Sequence, residues 1–114
     1  MNDCIFCRII KGDIPSAKVY EDELCYAFKD INPQAPVHVL VVPKKHAASV
    51  LELGEEDKAL LGHIQLVIGK LAKELGVSET GFRVMTNCGS DACQSVKHLH
   101  YHLLGGVQMS EKMV

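Results

Sequence analysis

The sequence predicts an α+β fold, in which short strands follow one another along the chain and one long helix covers a sheet face. Three observations predict it. From Glu55 to Leu75 the apolar positions Leu60, Leu61, Ile64, Val67, Ile68, Leu71 and Leu75 keep the helical period. Short runs at 18–21, 24–29, 37–42 and 82–86, rich in β-branched and aromatic residues, are separated by turn residues and suggest an antiparallel meander. Residues 98–104 alternate imidazole with apolar or aromatic side chains, the period of an extended strand.

Asp3 is placed to cap a short helix running to about Ile10, with Ile5, Phe6, Ile9 and Ile10 on its apolar side and Gly12 closing it. Two strands then flank the acidic turn Glu21-Asp22-Glu23, and Pro43 ends the β-branched run Val37 to Val42. The long helix carries Glu55, Glu56 and Asp57 in its first turn and Lys73 in its last, with Gly76 behind it, which matches the helix dipole and a left-handed terminal residue. Residues 87–95 are turn-rich, and the strand from His98 to Leu104 follows. The result is a sheet of about five strands with one long and one short helix. No repeat, low-complexity tract or linker interrupts it, so residues 1–114 form a single domain.

Composition narrows the function classes. An apolar fraction of 47% in 114 residues is enough to bury a core. Twelve basic residues against 14 acidic ones, a net charge of −2, leave no broad basic face for nucleic acid, so any bound phosphate is held locally. The first residues lack the basic start and apolar stretch of a secretory signal, and no run could span a bilayer; a cytoplasmic location is the expectation. Five cysteines in such a chain read as thiols, metal ligands or small buried residues sooner than as a disulfide framework.

The chemistry concentrates at His98-Leu99-His100-Tyr101-His102. In an extended strand the three imidazoles share one face, about 6.6 Å apart between alternate residues, and Leu99, Tyr101 and Leu103 share the other. A solvated strand face or a zinc site built from alternate positions would give the same pattern. The preceding Asn87, Gly89, Gln94 and Ser95 favour a phosphate, since small residues and short polar side chains can present N–H groups and a hydroxyl to its oxygens.

The run Asn87-x-Gly89-x-x-x-x-Gln94-Ser95-Val96-x-His98-x-His100-x-His102-Leu103-Leu104-Gly105-Gly106 resembles the signature of the histidine triad (HIT) family. The likeness extends to the stretch from Asp30 through His38 to His46 and to Ile5-Phe6-Cys7-Arg8-Ile9-Ile10, and is strongest to the histidine triad nucleotide-binding branch. That resemblance implies a HIT-like fold whose sheet continues across a homodimer and binds a purine mononucleotide. It implies hydrolysis of nucleoside 5′-phosphoramidates and related conjugates, with His100 as the nucleophile that forms a covalent nucleotidyl-imidazole. A neutral imidazole near its ordinary pKa of about 6.5 can attack without metal activation. By the same resemblance Ser95 bonds the leaving-group side, His102 and the amides around Gln94 hold phosphate oxygens, Asp30 accepts from the ribose hydroxyls, and Asn87 contacts the nucleotide. Ile5, Phe6, Ile9, Ile14, Ile31 and Leu40 match base-pocket positions, although plain core packing reads identically.

The spacing Cys4-x-x-Cys7 lets two thiolates reach one ion. In family members that carry the pair, a histidine at the position of His46 and the first triad histidine, here His98, complete a structural zinc site; two small buried thiols and a surface His46 are the alternative. Cys25, Cys88 and Cys93 read as thiols without a role, and neither His38, a family position near the triad, nor His63 is assigned chemistry. The chain departs from the family at Cys93, often glycine, at Val107, often arginine, and in the tail Met109 to Val114. Two other functions fit the same motifs: a dinucleoside polyphosphate hydrolase, and a non-catalytic nucleotide- or zinc-binding adaptor.

Overall fold

The computed structural model describes residues 4–114, so the placement of Asp3 as a cap lies outside the described residues. Cys4 occupies the cap instead: its extended backbone precedes helix α1 (Ile5–Lys11), and its sulfur accepts from the Cys7 N–H at 3.4 Å. Gly12, at φ +87°, closes α1 by donating to the carbonyls of Arg8 and Ile9, a conformation that suits a residue without Cβ.

Five strands form one antiparallel sheet in the order β1 (Lys18–Glu21), β2 (Cys25–Lys29), β3 (Val37–Pro43), β5 (Tyr101–Gly105), β4 (Phe82–Met85). Helix α2 (Lys58–Glu74) follows β3 through two short 3-10 turns, Val50–Glu52 and Glu55–Asp57. The acidic residues expected in its first turn therefore form a separate tighter turn. Asp57 locks that turn, accepting from the Gly54 N–H at 3.0 Å and pairing with Lys45 at 2.7 Å.

The long and the short helix expected from the sequence cover opposite faces of the sheet. Cys25, Ala27, Val39, Val41, Tyr101 and Leu103 pack with Leu99 against Ile64, Val67, Ile68 and Leu71 of α2. On the opposite face Tyr26, Phe28, Leu40 and Val42 pack against Phe6 and Ile9 of α1. The strict alternation of these two sets follows from the period of two, and explains why β2 and β3 are buried almost without interruption.

Strand β5 begins at Tyr101 and not at His98, because its ladder partner runs out. Tyr101 pairs with Val41 on β3; only Val42 and Pro43 of that strand lie beyond, and Pro43 has no N–H to give. Residues 98–100 are held by other hydrogen bonds: Leu99 N–H donates to Ala47 O at 2.7 Å, Thr86 Oγ1 to His100 O at 2.7 Å, and the His98 ring to Pro43 O at 2.8 Å. Among the described residues no helix is long and apolar enough to cross a membrane.

Candidate active site and metal centre

Although only His102 lies in the strand proper, the predicted facing of the three imidazoles holds. Leu99, Tyr101 and Leu103 enter the α2-side core, while His98 and His100 both meet the Phe6 ring of α1, at centroid distances of 6.0 and 5.0 Å. The His102 ring lies 5.1 Å from that of His100.

Each imidazole has a distinct set of partners. His100 Nδ1 lies 2.7 Å from the carbonyl of His98; an oxygen there accepts, so Nδ1 carries a proton, and in the neutral ring it is Nε2 that offers the lone pair. His102 Nδ1 lies 2.9 Å from His38 Nε2, and His38 Nε2 is also 3.4 Å from Asp30 Oδ2. Burial, assisted by the neighbouring His100 and His38 rings, pushes the His102 imidazole down to about 4, and burial likewise lowers His38 against the pull of Asp30. Both rings are therefore neutral at pH 7. Sequence reasoning left His38 without chemistry; its contact with His102 depends on register, since His38 faces Leu104 and lies diagonal to His102 across β3 and β5.

Cys4, Cys7, His46 and His98 form a cluster whose ligand atoms all lie within 4.8 Å of one another. The sulfur–nitrogen separations are 3.3 Å for Cys4–His98, 3.3 Å for Cys7–His46 and 3.5 Å for Cys7–His98, and His46 Nδ1 is 3.2 Å from His98 Nδ1. Tetrahedral zinc with ordinary bond lengths sets such atoms about 3.6 Å (sulfur to nitrogen) and about 3.3 Å (nitrogen to nitrogen) apart, so the four residues fit one ion. His98 directs Nδ1 at the cluster and gives its Nε2 proton to Pro43 O, the second-sphere contact that orients a metal-bound imidazole. Burial lowers the His98 ring, keeping it neutral as a ligand must be.

The loop before the triad is braced internally. Gln94 N–H donates to Gly89 O and Gly89 N–H to Gln94 Oε1, while Gln94 Nε2 reaches Ala48 O at 2.6 Å and Val96 O at 3.0 Å. These amides, assigned to phosphate by resemblance, are engaged within the loop. Ser95 stands exposed between the loop and the triad, and Asn87 is half-buried at its other end. Cys93 adopts φ 59°, the left-handed region, which explains why glycine is at home in this position. Asp30 Oδ1 caps the turn after β2, accepting from the Asn32 N–H at 2.8 Å. The apolar positions divide: Phe6, Ile9 and Leu40 are core, with Ile14 packed against them, whereas Ile5 is 46% and Ile31 99% exposed.

A second cluster escaped the sequence reading. Asp22 Oδ2 accepts from Tyr20 OH at 2.8 Å and lies 2.6 Å from His63 Nε2, joining the β1–β2 turn to α2. Its Oδ1 accepts from the N–H groups of Leu24 and Cys25. With both oxygens saturated, the carboxylate serves as a tie between elements.

The family model for the C-terminal binding region of scavenger mRNA decapping enzymes matches residues 3–113. An uncharacterized HIT-like protein of Synechocystis is 52% identical over 104 residues, covering 91% of this chain and 90% of that protein. A HIT family hydrolase from Clostridium thermocellum superimposes with a TM-score of 0.96 at 52% identity, over 100% of this chain and 99% of the other. A histidine triad protein from Clostridium difficile gives 0.94 at 54% identity, over 98% and 97%. The fold agrees with these likenesses, and the chain belongs to the histidine triad (HIT) family as a hydrolase-like member.

Proposed function

We propose that the protein is a single-domain, cytoplasmic, homodimeric hydrolase that binds purine nucleotides and cleaves nucleoside 5′-phosphoramidates and related nucleotidyl conjugates. The observation that carries this reading is the His100 tautomer: with Nδ1–H donated to the His98 carbonyl, Nε2 offers a lone pair beside the neutral His102. Nε2 attacks the α-phosphorus, the bond to the leaving amine breaks, and the amine departs with a proton taken from solvent, to which the hydrolytic water returns one in the next step. Water then cleaves the phosphorus–imidazole bond, releasing the mononucleotide and restoring His100. His102 holds phosphate oxygens, Ser95 the leaving group and Asp30 the ribose, while Asn87 and exposed Ile5 and Ile31 are the contacts offered to the nucleoside. Zinc held by Cys4, Cys7, His46 and His98 would saturate its coordination and supply structure, not chemistry. Strand β4, at the edge of the sheet with Phe82 and Met85 exposed, supports pairing with a second copy.

Incubation with adenosine 5′-phosphoramidate should release AMP, acid quenching should trap radiolabelled nucleotide on the protein, and His100→Ala should abolish both while leaving the fold intact. Turnover that survives His100→Ala would remove the proposed nucleophile. Faster cleavage of diadenosine polyphosphates than of the phosphoramidate would reassign the substrate.

A further inference from the structure

We propose that His38 is a positioning residue that fixes His102 as an Nε2–H donor and ties its orientation to occupancy of the ribose site at Asp30. This rests on the hydrolase reading above, whereas the tautomer it requires can be read without any substrate.

The run of hydrogen bonds begins at a backbone amide. Gln34 N–H can only donate, and it points at His38 Nδ1 from 2.9 Å, so Nδ1 must present a lone pair. His38 is 6% exposed and neutral, which places its one proton on Nε2. Facing that proton are His102 Nδ1 at 2.9 Å and Asp30 Oδ2 at 3.4 Å. His102 Nδ1 therefore accepts, and the proton of His102 stands on Nε2. The reverse tautomer would set two N–H groups against each other across 2.9 Å in a buried site, leaving a polar pair unsatisfied.

The consequence falls beside His100, whose ring is 5.1 Å from that of His102. An N–H there stabilises charge on a phosphate oxygen, whereas a lone pair would repel it. Asp30 competes for the same His38 proton. When ribose hydroxyls donate to Asp30, its pull on His38 weakens, the His38–His102 hydrogen bond strengthens, and the donor on His102 is better held. A nucleoside lacking the 2′-hydroxyl then loses rate as well as affinity.

Two variants separate the parts of this chain. In His38→Asn the carboxamide oxygen can still meet Gln34 N–H, but no donor reaches His102; in His38→Gln a donor does reach it. Long-range proton–nitrogen spectra of the histidine-labelled, zinc-loaded full chain should show His102 protonated on Nε2 in the wild type and in His38→Gln, and as mixed tautomers in His38→Asn. With adenosine 5′-phosphoramidate and its 2′-deoxy analogue, His38→Asn should lower kcat roughly 10- to 100-fold with little change in KM, the usual size of an orienting contact. Its ribo-to-deoxy ratio of kcat should fall towards one, and His38→Gln should recover much of both. Wild-type His102 protonated on Nδ1, or a wild-type kcat that ignores the 2′-hydroxyl, would overturn the proposal even if neither variant folds. Absence of turnover together with the Nε2 tautomer would count against the hydrolase reading alone, leaving the His38–His102 assignment standing.

Discussion

Asp22 shows how much of this fold depends on single polar groups away from the triad. Burial disfavours its charge, but hydrogen bonds from Tyr20, His63 and the N–H groups of Leu24 and Cys25 outweigh that and hold the carboxyl well below the usual carboxylate range. A depressed carboxylate contributes stability that is complete above its unfolded pKa of about 3.9 and is lost as pH falls through the folded value. Asp22→Asn keeps the shape and loses the charge, and should cost roughly 1–2 kcal/mol at pH 7, since hydrogen bonds to a charged acceptor are the stronger kind. Urea midpoints of wild type and variant, compared at pH 7 and pH 3, should differ most at the first, and the gap should narrow at the second, where the unfolded carboxyl is already largely protonated while the folded one is still charged. An equal gap at both would mean that the carboxylate charge contributes nothing. The same residue marks where sequence reading stops: Glu21-Asp22-Glu23 announces a turn, but its meeting with His63, 41 residues later, is set by how α2 lies on the sheet.

At the scale of elements, what was legible is what periodicity controls. The long helix, the strands and the two facings of the triad segment all follow from periods of 3.6 and 2. The start of β5 did not, because an alternating run continues past its last ladder partner, Val41, and where that partner strand stops pairing is set far away in sequence. The other end of β5 shows the opposite case, a residue whose reason is purely steric. A Cβ built on Gly105 would lie 2.8 and 2.9 Å from the Cγ1 and Cβ of Val77, a buried and branched side chain with little room to turn. Gly105 also pairs with Val37 and Phe82, so a shift there would be passed to both neighbouring strands. Gly105→Ala should therefore destabilise by about 1–3 kcal/mol, the cost of overpacking, seen as a lower urea midpoint at unchanged m-value. A neutral result would mean that Val77 moves aside freely, and Val77→Ala should rescue the variant if it does not.

At the scale of the whole molecule, the sheet is a wall between two unequal cores. The α2 side is sealed by a 17-residue helix, whereas the α1 side is covered by a helix of only seven residues, too short to be stable alone. That smaller core holds Phe6, Ile9, Phe28 and Leu40, and Phe6 is also the wall against which His98 and His100 rest. Cys4 and Cys7 lie at the start of α1, His46 just after β3 and His98 just before β5, so an ion bound by the four would fasten the short helix to the sheet at the point where the triad segment leaves it. Chelation should then do two things at once. It should lower the melting temperature by roughly 10 °C or more, as loss of a clamp contributing a few kcal/mol would in a domain of this size. It should also open the α1-side core alone, so that an apolar dye binds and protease cleaves near α1 while the far-ultraviolet signal of α2 and the sheet persists. A double variant Cys4→Ala, Cys7→Ala should melt at the chelated temperature and ignore the chelator. Less than one zinc per protomer in freshly purified protein, with a melting temperature that chelator does not move, would leave α1 held by its apolar contacts and remove the clamp.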